Sequence, residues 1–216
     1  MNPKRESRVS RALAITGLVN GVLGIILQYV LFQPLFRQMG MDWGSSAIAM
    51  LAYFTILTNL MVVAVYWSSL VVAKNPVTRF FTRPGVRTAV TAYILFVGII
   101  YATMLYGELP LTLAQQVPDA MLHFIAPPLC LAWWWTTRPQ RQLTLDRIWK
   151  WMIWPVAYLS ASLLFGAATG KFIYPILDAG MLGWPAVLVI AAGMITLLIL
   201  LMAGLVAISR RRSGSS

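Results

Sequence analysis

The chain has 216 residues, is 59% hydrophobic and only 11% charged, and carries a formal net charge of +11. A soluble domain carries roughly a quarter charged residues, so these proportions exclude an ordinary soluble globule. The lone cysteine, Cys130, and lone histidine, His123, exclude an intrachain disulfide, a cysteine metal cluster and any site needing two histidines.

Six apolar segments approach the roughly 20 residues with which a helix crosses about 30 Å of hydrocarbon. A basic tail, residues 1–11, holds Lys4, Arg5, Arg8 and Arg11 ahead of the first segment, 12–32. That segment is too long for a cleaved leader and no small-residue cleavage site follows it, so it reads as a retained helix. Gly17 and Gly21, four residues apart, predict a close approach by another helix. The second segment, 46–73, contains Tyr53-Phe54-Thr55-Ile56-Leu57-Thr58-Asn59. Thr55, Thr58 and Asn59 share a helix face there, with Thr55 roughly 13 Å below the start of the helix. Lys74, Arg79, Arg83 and Arg87 follow, then the third segment, 88–106.

The fourth segment, 118–135, is expected to open on Pro118, a residue that the first turn of a helix accepts. Asp119 and His123 stand at i and i+4 and so share a face, with His123 roughly 8 Å into the helix. Pro127 and Pro128 predict a bend and freed carbonyls, features that accompany a cavity. Arg138, Arg141, Arg147 and Lys150 lead to the fifth segment, 148–168, which Pro155 interrupts. The sixth, 183–208, ends in a basic tail, 209–216, with Arg210, Arg211 and Arg212.

Fifteen of the 17 basic residues fall on one side of this arrangement, leaving Arg37 and Lys171 on the other. The positive-inside rule then predicts an all-α integral membrane bundle of six transmembrane helices with both termini cytoplasmic. Topology accounts for the positive charge, so a nucleic-acid partner is not expected. Trp67, Trp149, Trp151, Trp154 and the run Trp133–Trp135 read as an inner aromatic belt, with Trp43 and Trp184 marking the outer interface.

Polar side chains at membrane depth are the default functional candidates. A threonine hydroxyl is a poor nucleophile without a base in reach, and histidine is the side chain whose ordinary pKa lies near neutrality. The comparable depths of the two polar clusters allow a Thr–His pair, with the Asp119 carboxylate one turn away placed to orient the imidazole. Asn59, or a backbone amide near the Pro127 bend, would stabilise an oxyanion. The alternatives are helix–helix glue for Asn59, a back-bonded hydroxyl for the threonines, and a polar pair satisfied at the outer interface for Asp119 and His123. No metal-ligand spacing or phosphate loop occurs, so no cofactor is expected.

Three motifs, Tyr53-Phe54-Thr55, Leu122-His123 with a proline soon after, and Gly170-Lys171-Phe172-Ile173-Tyr174-Pro175-Ile176-Leu177-Asp178, follow one another in the chain. Together they resemble the androgen-induced membrane proteins of animals and their prokaryotic six-span relatives, the Pr-six-Pr family. That resemblance implies a six-helix intramembrane hydrolase in a bacterial cytoplasmic membrane, cleaving fatty acid esters of hydroxy fatty acids. It implies a threonine nucleophile at Thr55, with Thr58 the alternative, a histidine base at His123 oriented by Asp119 or Asp178, and Tyr174 and Asp178 near the outer mouth. The pattern departs from the family in having Asn59 one position late, Thr58 as an additional hydroxyl, and Asp119 where the animal proteins carry an amide. A non-catalytic carrier or binding protein for a lipid or small amphiphile is the competing expectation. A proton-coupled transporter is weaker, for want of intramembrane charge and repeats.

Overall fold

The computed structural model describes residues 8–72, 75–137 and 143–214. Lys4, Arg5, Lys74, Arg138 and Arg141, counted above toward the basic face, lie outside these residues. The described residues form helices and no strand: α1 (Arg8–Leu31), α2 (Gln33–Gln38), α3 (Trp43–Met50), α4 (Phe54–Leu70), α5 (Pro76–Phe81) and α6 (Pro84–Ile100). A π-turn, Tyr101–Leu105, extends α6. Then come α7 (Leu113–Ala120), a second π-turn (Met121–Ile125), α8 (Ala126–Thr136), α9 (Ile148–Thr169), α10 (Ala179–Leu182) and α11 (Trp184–Gly214).

Among the described residues, four helical stretches are long and apolar enough to cross a membrane: Arg8–Gln38, Pro84–Leu105, Leu145–Thr169 and Trp184–Arg212. A fifth arises if α3 and α4, bent by 81° at their junction, count together. Pro155 leaves α9 continuous. The helical run over 113–136 is long but polar at its start, holding Gln115, Gln116, Asp119 and His123.

Centrally placed, α6 packs on α4, α8, α9 and α11, while α1 lies along α4, α7 and α8. The close approach expected at Gly17 and Gly21 is seen: a Cβ on Gly17 would overlap the Tyr66 ring, and one on Gly21 would meet Val63. Without side chains there, α1 and α4 come together by van der Waals contact, the main adhesive between helices in lipid.

Three expectations need correction. The second segment is not one helix from Ser46: the chain leaves the helix after Met50, is extended at Tyr53 and restarts at Phe54. No glycine or proline marks this break. Instead, Tyr158 donates to the Ala52 carbonyl (2.6 Å) and accepts from the Phe54 N–H (3.1 Å), while the Tyr174 hydroxyl accepts from the same N–H (2.9 Å). Irregular backbone survives among apolar helices only when its polar groups find such partners. Thr55 therefore sits in the first turn of α4 rather than deep in a long helix.

The fourth segment starts earlier than Pro118, at a capping box in which Thr112 and Gln115 satisfy each other's backbone. His123 thus lies roughly 15 Å, at 1.5 Å per residue, from the start of α7. Finally, the Trp133–Trp135 run is not all belt. Trp133 is fully buried edge-on to Tyr66, Trp134 is buried and donates to the Thr88 hydroxyl (3.0 Å), and only Trp135 is exposed, beneath Arg212.

Candidate active site

Asp119 closes α7 and His123 lies in the π-turn that follows. The wider turn, together with Pro127 and Pro128, which carry no N–H, disrupts the α-helical bonding on this stretch. Side chains of neighbouring helices take up the exposed carbonyls. Asn20 on α1 donates to the Met121 carbonyl (3.0 Å), and Asn59 on α4 reaches the Leu122 carbonyl (3.5 Å). Asn59 also donates to the Thr55 carbonyl (2.9 Å), so its amide hydrogens are occupied by helix packing rather than offered to a ligand.

The π-turn at the end of α6 packs against this one and contributes Tyr101. Its ring stacks on the His123 imidazole, centroids 3.7 Å apart and 13° from parallel. Its hydroxyl donates to Asp119 Oδ1 at 2.6 Å. His123 Nδ1 lies 2.9 Å from the Asp119 carbonyl oxygen and 3.1 Å from Asp119 Oδ1. A carbonyl oxygen can only accept, so Nδ1 carries a proton, and in the neutral ring the lone pair is then on Nε2. The side chains of His123 and Asp119 are only 11% and 10% exposed. A nearly buried carboxylate of this kind stays in place because two donors hold it.

Tyr101 also lines an apolar cavity of about 70 Å³. Phe54, Phe96, Val97, Leu159 and Leu198 supply much of its wall, and Tyr101, Thr55, Tyr158 and Tyr174 supply the polar groups. Phe54 anchors this wall, its ring meeting Tyr93, Phe96 and Tyr158. The Tyr174 hydroxyl also interacts with the hydroxyl and backbone of Thr55, and burial raises its pKa above the ordinary 10.0, keeping it protonated.

The structure thus brings Asp119 and His123 together, and places Thr55 with Tyr174 at the cavity. Among the described residues no hydrogen bond joins Thr55 to His123; Tyr101, which touches both regions, stands between them. Thr58 is wholly buried, its hydroxyl has no partner among the described residues, and it does not line the cavity. Asp178 is engaged elsewhere, capping α10 by accepting from the Gly180 and Met181 N–H groups (2.8 and 3.2 Å). Sequence reasoning missed Tyr101 and Tyr158. Tyr101, near the end of an apolar run, looks there like any interfacial tyrosine, and only π-turn packing brings it onto His123. Among known proteins, no family model, no curated sequence and no solved structure matches this chain.

Proposed function

We propose that the chain is a six-span membrane protein with both termini in the cytoplasm, and that it hydrolyses lipid esters within the membrane. Thr55 is the nucleophile and His123 the general base. One observation carries this reading: a histidine whose Nδ1 is held by the carbonyl and carboxylate of Asp119 stacks on Tyr101, which lines an apolar cavity with a threonine in its wall. The resemblance to the Pr-six-Pr family and the one-sided distribution of basic residues support it further.

In this mechanism His123 Nε2 accepts the Thr55 proton as Oγ1 attacks the ester carbonyl. The oxyanion forms beside the Thr55 and Ile56 N–H groups in the first turn of α4 and the Tyr174 hydroxyl, where fixed donors stabilise developing charge. Collapse expels the alkoxide, which takes the proton from His123 and leaves as the alcohol. Water, deprotonated by His123, then cleaves the acyl-threonine to the fatty acid and regenerates the hydroxyl. Catalytic hydrogen bonds are often long in the absence of substrate, and the acyl chain must draw Thr55 and His123 together across Tyr101. Asp119 and Tyr101 act through His123 as positioning residues. Thr55 is favoured over Thr58 because it lines the cavity.

A second reading, a non-catalytic lipid carrier, draws on the missing Thr55–His123 bond and the mostly apolar wall. Hydrolysis of a long-chain hydroxy-fatty-acid ester by purified protein in liposomes separates the two. The enzyme reading expects turnover to fall by roughly 10²-fold or more, the usual worth of a general base, in both Thr55→Ala and His123→Ala. Thr55→Ser should retain part of it. Unchanged turnover in both alanine variants would sink the proposal, and wild-type binding without turnover would establish the carrier.

A further inference from the structure

A second, larger cavity of about 670 Å³ lies at the opposite end of α6, between α4, α5 and α9. Its size falls within the roughly 300–1,000 Å³ of small-molecule sites. Along α6 its lining runs from Arg83 to Tyr93, whereas that of the first cavity runs from Phe96 to Tyr101 in the π-turn, so the two follow one another along the helix. Nothing in the hydrolase reading uses this cavity.

Its lining combines two kinds of surface. The basic side chains Arg83, Arg147 and Lys150 stand around it, and among the described residues no carboxylate lines it. All three are exposed residues, with Arg83 over the Phe80 ring and Lys150 over the Trp149 ring. Asp146, outside the lining, interacts with Arg147 and Lys150 only as a minor influence beside its bond to Thr144. The rest is mainly aromatic and aliphatic, including Met61, Phe81, Val90, Trp151 and Trp154.

One further feature calls for an acceptor. The first turn of α6 opens on the cavity, and the N–H groups of Gly85 and Val86, both lining residues, have no intrahelical acceptor at that position. A helix N-terminus draws anions by these donors and by its dipole.

We propose that this cavity binds the phosphate-bearing headgroup of an anionic membrane lipid, with the start of its acyl chains against the apolar wall. Phosphate is the shared chemistry of a lipid and a free anion. The lipid is preferred because a free phosphate would leave the aromatic and aliphatic wall uncovered. A basic pocket between helices at the basic face of a membrane protein fits this ligand class. This inference rests on the membrane reading of the chain and not on hydrolysis.

The test uses the purified full chain in phosphatidylcholine vesicles, comparing immobilisation of spin-labelled phosphatidylglycerol with that of spin-labelled phosphatidylcholine by electron paramagnetic resonance. Wild type is expected to prefer phosphatidylglycerol by roughly fivefold or more, since each near-surface cation contributes about that factor. Arg147→Gln combined with Lys150→Gln should bring the preference to near parity. Arg210→Gln with Arg211→Gln removes the same charge from the C-terminal tail and should leave the preference intact. An unchanged melting temperature confirms that each variant is folded. Preference surviving the cavity variant, or lost equally in the tail variant, overturns the proposal. Displacement of the lipid by millimolar glycerol phosphate overturns the lipid assignment in favour of a free anion.

Discussion

Replacing Tyr101 with phenylalanine removes one hydroxyl while leaving the ring stacked on His123. The structure makes that hydroxyl one of two donors to Asp119 Oδ1, at 2.6 Å, the other being His123 Nδ1 at 3.1 Å. A hydrogen bond to a charged group contributes about 1.5–3 kcal/mol, and the 10% exposure of the Asp119 side chain leaves little room for water to substitute. Tyr101→Phe should therefore destabilise the protein by about 1.5–3 kcal/mol in reversible unfolding from mixed micelles. Asp119→Asn should remove most of that dependence, so that a double-mutant cycle returns a coupling above about 0.5 kcal/mol, the limit of additivity for independent sites. If hydrolysis is the function, Tyr101→Phe should lower kcat by about tenfold, the equivalent of about 1.4 kcal/mol, with KM little altered. Such a split is what separates positioning of His123 from cavity shape. A stability change and coupling both below about 0.5 kcal/mol would refute the view that Tyr101 holds the Asp119–His123 pair.

The remaining expectations concern the scaffold. Tyr158→Phe removes the donor to the Ala52 carbonyl and one of two acceptors for the Phe54 N–H, so it should cost about 1–3 kcal/mol. Tyr174→Phe should cost less, because Tyr158 still accepts from Phe54; equal costs would show that the two phenols do not divide the break as described. Gly17→Ala drives a methyl into the Tyr66 ring, itself 1% exposed and packed against Trp133. Overpacking of this kind costs about 1–3 kcal/mol, and an unaltered unfolding midpoint would disprove the tight α1–α4 contact. Asp42, which caps α3, is held below its ordinary pKa of 3.8 by the Ser45 hydroxyl and N–H. Because the folded pKa is the lower one, the cap's contribution is fully present above 3.8 and lost as pH falls through the folded value. A carboxyl titration by NMR at or above 3.8 would contradict the capping geometry.

Much of this protein is legible in its sequence because the solvent imposes simple rules. Long apolar runs predict helices, and a helix confines all its backbone bonds within one segment, so the reading needs no knowledge of neighbours. The helices α1, α6, α9 and α11 follow directly, as does the close approach at Gly17 and Gly21. The i, i+4 spacing of Asp119 and His123 is equally local, and their contact follows from helix geometry.

Other features depended on residues far apart in the chain. The break before Phe54 carries no local marker; hydroxyls from Tyr158 and Tyr174, more than 100 positions away, make it tolerable. Asp178 looks as suitable an orienting acid as Asp119 until its oxygen is found capping α10. Tyr101 joins His123 only because two π-turns on separate helices pack together. Composition and periodicity thus determined the helices and the candidate residues, since both report each residue's affinity for lipid or water. Which candidates meet was decided by tertiary packing, because buried donors and acceptors must find partners wherever the fold supplies them.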